Sequence, residues 1–158
     1  MKKGFTMIEL IFVIVILGVL ASVAIPRLAA TRDDAEVAKA ATNLTTAVSD
    51  ITAYYTAKGN FNGVTSDFTK ITNALTKDGK LKVKGTVECV SVTLPGNTTG
   101  NQQSSKVQLK LTFTKDDAVC KQLTKLPGIL AMCGQSDKTE LSNTTCDIQV
   151  GGSGGIQF

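Results

Sequence analysis

The chain opens with an almost unbroken apolar run and becomes polar after about residue 30. Between residues 5 and 25 only three positions are polar: Thr6, Glu9 and Ser22. At about 1.5 Å per residue, a helix over this run is roughly 30 Å long, enough to cross a bilayer. The run therefore predicts a single-pass membrane segment. Lys2 and Lys3 precede it, so the positive-inside rule predicts that the N-terminus is cytoplasmic.

A second pattern follows over residues 29–58. Apolar residues recur there at intervals of four and three, which places them on one face of a helix. These residues are Val37, Ala41, Leu44, Val48, Ile51 and Tyr55. The sequence Lys58-Gly59-Asn60 then supplies a stop signal. We therefore predict an amphipathic helix that ends near Lys58 and packs on its own domain.

The last part of the chain, residues 86–158, contains two stretches that alternate as strands do. They are TVECVSVTL (86–94) and KVQLKLTFT (106–114), joined by a turn-rich loop that begins Pro-Gly-Asn. DDAVCKQL (116–123) predicts a short helix with Asp116 near its N-terminus. We expect one or two more strands before the glycine-rich run at 151–155. The predicted fold class is α+β, a long N-terminal helix whose second half packs on a small antiparallel β-sheet.

Residues 59–85 are predicted to connect helix and sheet, with a short helix at about residues 66–75. Near the end of this region Lys80, Lys82 and Lys84 alternate with Leu81 and Val83. The period of two would place three lysines on one face of an extended segment. A solvated strand face is the simplest interpretation. A groove for nucleic acid or a host surface stays open, although no aromatic side chains are interleaved to stack on bases.

Composition narrows the classes of function. The chain has 158 residues, enough for one modest domain, and a net charge of +4 that falls to +2 without Lys2 and Lys3. That charge is too small to favour nucleic acid as the main partner. The absence of histidine removes the commonest general base and metal ligand. No catalytic motif is present, so we predict no enzyme, cofactor or metal. The acidic residues from Asp116 to Asp147 lack the spacing of a calcium loop, although calcium stays an alternative.

The four cysteines all lie in the C-terminal half: Cys89, Cys120, Cys133 and Cys146. None has the CxxC spacing of a zinc or thioredoxin-like site. An even number after an export-type N-terminus is typical of two disulfides outside the cytoplasm. The alternative is four buried free thiols in a reducing compartment.

Glu9 is the unexpected residue in the apolar run, because a charged group in hydrocarbon costs at least ~2.5 kcal/mol. A cleaved secretory signal fits poorly, since no small-residue cleavage site precedes Pro26. A simple signal anchor explains the span but leaves Glu9 unpaired. If the chain is instead cut after Gly4, Glu9 of a neighbouring subunit can neutralise the new amine of Phe5, and both charges become tolerable in an assembly.

The sequence Lys2-Lys3-Gly4 followed by Phe5-Thr6-Met7-Ile8-Glu9-Leu10 resembles the N-terminus of type IV pilins and of the pseudopilins of type II secretion. The resemblance covers roughly residues 1–30 and the long helix that follows. It implies cleavage after Gly4 by prepilin peptidase, a membrane aspartyl protease, and N-methylation of Phe5. It also implies that Glu9 is the assembly carboxylate and that Gly18 and Pro26 bracket a helix stretch that loosens in the filament.

The same resemblance implies an organisation for the whole chain. Residues 1–4 are the leader, residues 5–28 form the helix for membrane insertion and assembly, and residues 29–158 form the globular domain of a pilin fold. Three disulfide pairings are open from the sequence. We favour Cys89 with Cys120 and Cys133 with Cys146, because the second pair closes a small C-terminal loop of the kind found in many pilins.

The function expected from this resemblance is a structural subunit of a type IV pilus-like filament, or fimbrium. The partners would be further copies of the chain, prepilin peptidase, inner-membrane pilus or secretion machinery and, before assembly, lipid; nucleic acid has no support. The subunit would move from the inner membrane to a surface pilus or a periplasmic pseudopilus. One alternative is a pseudopilin of a type II secretion or DNA-uptake system. The alternative from another class is a solitary membrane-anchored adhesin or binding module.

Overall fold

The computed structural model describes residues 4–95 and 106–151, without the side chains at positions 26 and 28–30. Most of the predicted turn-rich loop after Pro95 and of the glycine-rich run therefore lies outside the described residues. The chain divides between Ala35 and Glu36 into two compact units. The elements in chain order are α1 (Met7–Lys58), a 3₁₀ turn (Phe68–Lys70), β1 (Lys80–Val83), β2 (Val87–Thr93), β3 (Val107–Phe113), α2 (Ala118–Leu123), α3 (Pro127–Met132) and β4 (Thr145–Gly151).

Helix α1 ends at Lys58, as the sequence predicts. Gly59 follows with a φ of +72°, a left-handed conformation that glycine adopts without strain. Its N–H donates a 2.7 Å hydrogen bond to the carbonyl oxygen of Tyr55, which satisfies one of the free carbonyls at the helix end. The glycine thus stops the helix for a local reason.

One face of α1 belongs to the core of the second unit, but its centre differs from the predicted stripe. The buried positions are Val37, Ala40, Leu44, Ala47 and Ile51. The predicted stripe residues Ala41, Val48 and Tyr55 are only partly buried against this core. Val37, Leu44 and Ile51 of the predicted stripe are thus buried, and Ala40 and Ala47 complete the buried face in place of Ala41, Val48 and Tyr55, which lie at its margin.

The sheet has the order β1-β2-β3-β4, and every neighbouring pair is antiparallel. Alternate residues of the strands point into the core, except at Cys89 and Val90 of β2, which are both buried. The opposed residues Val92, Leu111 and Cys146 show the alternation. The residues next to them in sequence are polar and form the other face, as in the row Thr93, Lys110 and Asp147. The alternation in the two predicted strands therefore gives the correct buried face, and the predicted α+β class is confirmed.

The first disulfide is attached at an irregularity of the sheet. Leu81 lies opposite Val90 and Lys82 lies opposite Glu88, so Cys89 is an extra residue in β2. Cys89 and Cys120 are buried and joined, with their Cα atoms 5.0 Å apart, and they connect β2 to α2. Cys133 and Cys146 are joined with Cα atoms 5.5 Å apart. This is the pairing that we favoured from the sequence.

The region between helix and sheet contains less helix than predicted. In place of a helix over residues 66–75 there is a single 3₁₀ turn, Phe68–Lys70, capped by Asp67. The Phe68 N–H donates to the Lys77 carbonyl and the Thr76 N–H donates to the Lys80 carbonyl. Because these bonds satisfy backbone groups outside a helical pattern, the segment folds back on itself and does not continue as a helix.

Lys84 does not extend the lysine face of β1, which contains only Lys80 and Lys82. Strand β1 ends at Val83, and Lys84 and Gly85 follow with φ values of +50° and +82°. This pair of left-handed residues is typical of a tight hairpin turn. The Lys84 N–H donates to a carboxylate oxygen of Glu36, so the turn is held against α1.

Helix α3 was not predicted, since only one or two further strands were expected after α2. Its first residue is Pro127, and proline is compatible with the first turn of a helix, where its missing N–H has no partner to lose. Ile129 and Leu130 are buried and anchor this short helix to the core. Helix α2 lies where predicted, and Asp117 caps it by accepting a 2.8 Å bond from the Val119 N–H.

Candidate functional site

The N-terminal part of α1 presents apolar side chains to its surroundings along its whole length. Residues Met7–Ile25 form a 19-residue segment of mean hydropathy 2.9 that is long enough to cross a membrane. The exposed fraction of its large apolar side chains runs from 43% at Ile16 to 84% at Met7. Monomeric soluble proteins rarely leave so large an apolar surface uncovered. This surface therefore requires lipid or other protein around it.

Glu9 is the one charged residue in this segment, and its carboxylate is hydrogen-bonded locally. The Thr6 N–H donates a 2.9 Å bond to Oε2 of Glu9, and the Thr6 hydroxyl donates to the same oxygen. Thr6 precedes the helix and Glu9 is its third residue, the spacing of a capping box. This role was not predicted, although the Thr-x-x-Glu pattern before an apolar run is its signal in the sequence.

Besides Glu9, the segment contains one polar side chain, Ser22, and one glycine, Gly18. Ser22 donates its hydroxyl to the carbonyl oxygen of Val19 at 2.7 Å, so its side chain is satisfied within the helix. A Cβ added at Gly18 would meet no other described atom within 4 Å. Gly18 and Ser22 lie one helical turn apart, and α1 is helical through both Gly18 and Pro26. Small residues at this spacing favour close approach of a second helix.

Phe5 and Gly4 precede this helix. Phe5 is 88% exposed. Gly4 is also exposed, and a Cβ added at Gly4 would meet no other described atom within 4 Å. The described residues therefore leave the Gly4–Phe5 peptide bond uncovered by the chain's own fold. Cleavage is predicted from the sequence at that same bond.

Lysines at the surface of the second unit lie beside carboxylates. Glu88 accepts from Lys80 at 2.8 Å and lies 3.9 Å from Lys82, and Lys115 donates to Glu140 at 2.8 Å. These hydrogen bonds are the first cause that lowers the pKa of Glu88 and of Glu140. Exposed pairs of this kind contribute little to stability. They do, however, account for the lysine face of β1 without a bound ligand, so nucleic acid gains no support as a partner.

Asp117 combines two roles at the start of α2. Its carboxylate accepts from the Val119 N–H, which is the first cause of its lowered pKa, and it also pairs with the Lys84 ammonium at 3.3 Å. Within residues 4–95 and 106–151 no three His, Cys, Asp or Glu side chains are grouped as metal ligands would be. Asp117 thus serves as a cap and a partner of lysine, and Glu140 as a partner of lysine.

Comparison with protein families adds to this geometry. Residues 1–25 match the family model described as the prokaryotic N-terminal methylation motif. Comparison with curated proteins and with solved structures gave no match. The motif points to a structural family rather than to enzymes, and it implies processing by prepilin peptidase and assembly into pilin-type filaments. The chain carries, at its N-terminus, the prepilin-type motif of type IV pilins and pseudopilins.

Proposed function

We propose that this chain is a structural subunit of a type IV pilus-like filament. It is inserted in the inner membrane with a cytoplasmic N-terminus, cut after Gly4 and N-methylated at Phe5. It then polymerises through the helix that begins at Met7. Assembly machinery in the inner membrane moves each subunit from lipid into the growing filament.

The observation that carries this proposal is the uncovered apolar surface of Met7–Ile25, together with the methylation motif that overlaps it. In the membrane this surface is covered by lipid chains. In a filament it is covered by the same helix of neighbouring copies, so the apolar area stays out of water in both states. Packing between the helices then supplies the contacts that hold the filament together.

Charge pairing gives the assembly a register. Cleavage after Gly4 creates an amine at Phe5, and Glu9 carries the opposite charge one helical turn away along the chain. Each charge is costly in an apolar core, and pairing between neighbouring copies offsets both costs. Gly18 and Ser22 allow close helix contact, and Gly18 and Pro26 bracket the stretch that loosens as subunits pack.

The second unit suits a location outside the cytoplasm. Its four cysteines form two disulfides. Cytosolic thiols would reduce such bonds, whereas they persist in an oxidising compartment. The polar face of its sheet and the lysine-carboxylate pairs can be solvated by water. Adhesion, motility, DNA uptake and export are all compatible with such a domain, because function on a filament is carried by surface sites.

The nearest alternative is a pseudopilin of a type II secretion or DNA-uptake system, which shares the N-terminal motif and differs in where the filament ends. A solitary membrane-anchored adhesin is the alternative from another class. It requires neither cleavage at Gly4 nor a second copy of the helix. In such a protein, the capping of α1 would be enough to explain the presence of Glu9.

An intact mass measurement on protein from the native host tests these possibilities. Sheared surface material is compared with washed membranes. A chain that starts at methylated Phe5 and is abundant in the sheared fraction supports a surface pilus. The same species confined to membranes supports a pseudopilin, and an uncut chain beginning at Met1 contradicts the proposal.

A further inference from the structure

The two disulfides differ in how far the fold shields them. Cys89 and Cys120 are 0% and 1% exposed, so their bridge lies inside the core. Cys133, at the end of α3, is only partly buried, and it is joined to Cys146, which is 8% exposed. A thiolate must reach a disulfide sulfur in order to exchange with it. In the folded chain, therefore, only the second bridge has a partly exposed end.

The Cys89–Cys120 bridge is enclosed by the residues on both of its sides. Cys89 is the extra residue of β2, and Val90 next to it is also buried. Cys120 belongs to α2, where Val119 and Leu123 are buried as well. A reagent reaches these sulfurs only when β2 and α2 separate, so exchange at this bridge requires unfolding.

The elements joined by the second bridge are also held by contacts that do not involve it. Helix α3 is anchored to the core by the buried side chains of Ile129 and Leu130. Strand β4 pairs with β3 from Thr145 to Gly151. Opening the Cys133–Cys146 bridge therefore removes one link and leaves the packing of α3 and the sheet pairing in place.

The segment between Cys133 and Cys146 has attachments of its own. The side chain of Leu141 is buried, and its N–H donates a 3.1 Å bond to the carbonyl oxygen of Thr124. The Lys115 ammonium donates to the Glu140 carboxylate at 2.8 Å and to the Leu141 carbonyl oxygen at 3.1 Å. These contacts hold the segment on the domain when the bridge is open.

We propose that the Cys133–Cys146 bridge is a site of reversible thiol–disulfide exchange on the folded subunit, in which the Cys89–Cys120 bridge takes no part. The partner is a thiol–disulfide oxidoreductase that carries a dithiol or a disulfide. Among protein disulfides, exposed ones are the labile and regulatory ones, whereas shielded ones resist reduction. This inference goes beyond the proposed function, because it requires neither cleavage nor assembly of the chain.

The exchange consists of two balanced steps. A thiolate of the partner's dithiol attacks Sγ of Cys133, the more exposed of the pair, and Cys146 leaves as a thiolate. The partner's second thiolate then attacks its own sulfur in the mixed disulfide and releases Cys133. The partner is oxidised to a disulfide, and its two electrons and two protons pass to the two cysteines. The reverse steps, with an oxidised partner, close the bridge again.

Thiol mapping of the full chain in detergent tests this difference. The chain is treated with dithiothreitol, a small dithiol, for increasing times, and new thiols are blocked with N-ethylmaleimide. The remaining disulfides are reduced in guanidinium and labelled with iodoacetamide, so that peptide mass spectrometry gives the reduced fraction at each cysteine. Thermal unfolding followed by circular dichroism shows whether the second unit is still folded. Cys133→Ala with Cys146→Ala is the matched control, because it keeps only the enclosed bridge.

We expect Cys133 and Cys146 to be reduced about tenfold faster than Cys89 and Cys120, or more, because only their bridge is reached without unfolding. The second unit should keep a cooperative unfolding transition after this reduction. The control variant should keep its remaining bridge oxidised over the same times. In guanidinium the two wild-type bridges should be reduced at similar rates. After dithiothreitol is removed, oxidised glutathione should restore the Cys133–Cys146 bridge in the folded chain.

Three results would overturn the inference. The first is reduction of both bridges at equal rates in the folded chain, or faster reduction of Cys89 and Cys120. The second is loss of the unfolding transition in step with reduction of Cys133 and Cys146, since the bridge would then be needed for the fold. The third is failure of oxidised glutathione to close the bridge again. None of these depends on filament formation, so the proposed function can fail in the mass measurement while this inference stands.

Discussion

The backbone N–H of Thr6 lies 2.9 Å from a carboxylate oxygen of Glu9, which is also the acceptor for the Thr6 hydroxyl. Glu9 therefore caps the first turn of α1 before any neighbour is considered. An anchor that never assembles would gain the same cap. The presence of Glu9 alone thus does not distinguish assembly from anchoring, and a test must separate the charge of Glu9 from its capping role.

Glu9→Gln provides this separation. The amide oxygen of glutamine can still accept from the Thr6 N–H, because Glu and Gln both serve at this position of a capping box. The negative charge that would pair with the Phe5 amine is lost. We expect filament yield to fall at least tenfold while thermal unfolding of the second unit is unchanged, measured by shearing assays and by circular dichroism in detergent.

Thr6→Val is the matched control for this experiment. It removes the hydroxyl that donates to Glu9 and keeps both the charge and the backbone N–H. If the charge governs assembly, this variant should form filaments in near-normal yield. Normal filaments from Glu9→Gln, or equal losses in the two variants, would count against the role that we propose for the charge.

The two disulfides should differ in their contribution to stability. Their cysteines are separated by 31 and 13 residues in sequence. On the chain-entropy model, loops of these lengths correspond to about 3.7 and about 2.9 kcal/mol of free energy of unfolding. Cys89→Ala with Cys120→Ala should therefore destabilise more than Cys133→Ala with Cys146→Ala. Guanidinium unfolding of the full chain in detergent measures both, and the reverse order would contradict the expectation.

The stability of the second unit should fall in acid partly through Asp117. The pKa of its carboxyl lies below the ordinary value of 3.8, first because of the Val119 N–H and then because of Lys84. A carboxyl whose pKa is lowered by folding stabilises the protein above its unfolded pKa, and the contribution is lost as pH falls through the folded pKa. We expect the melting temperature of Asp117→Asn to fall less steeply than that of the wild type as the pH is lowered below 3.8.

Asp117→Ala is the companion variant for this pH series. Asparagine still accepts from the Val119 N–H, whereas alanine leaves that donor without its cap. Both variants should have the shallower acid limb, but alanine should be the less stable of the two at pH 7. If the acid limb keeps its wild-type slope in both variants, Asp117 makes no contribution to it.

Gly79 should tolerate a side chain less well than Gly59, although both have φ values near +72°. A Cβ at Gly79 would lie 2.6 Å from a ring carbon of Phe68 and 2.8 Å from the Val92 carbonyl oxygen, whereas one at Gly59 would meet no described atom within 4 Å. We expect Gly59→Ala to cost about 1 kcal/mol from backbone conformation alone, and Gly79→Ala about 2–4 kcal/mol. Equal losses in denaturant unfolding would show that the contacts are unimportant.

Much of the candidate site could be predicted from the sequence, because it depends on local order along the chain. The apolar run, Glu9 and the stop at Gly59 are all read directly, and α1 lies where they place it. The cap made by Thr6 was also accessible, through the Thr-x-x-Glu spacing. The pairing of Lys84 with Asp117 was not, since the two residues lie 33 positions apart and only the fold brings them together.

The sequence by itself determined the long helix, the buried faces of β2 and β3 and the position of α2, because hydrophobic period and turn residues act over a few neighbouring positions. The tertiary structure decided which positions beside Val37, Leu44 and Ile51 complete the buried face of α1. It determined where Cys89 enters the sheet as an extra residue, and that residues 66–75 fold back on the segment before β1. It also decided that Leu-Pro-Gly begins a helix. In each case the local preferences are nearly balanced, and burial against distant side chains determines the result.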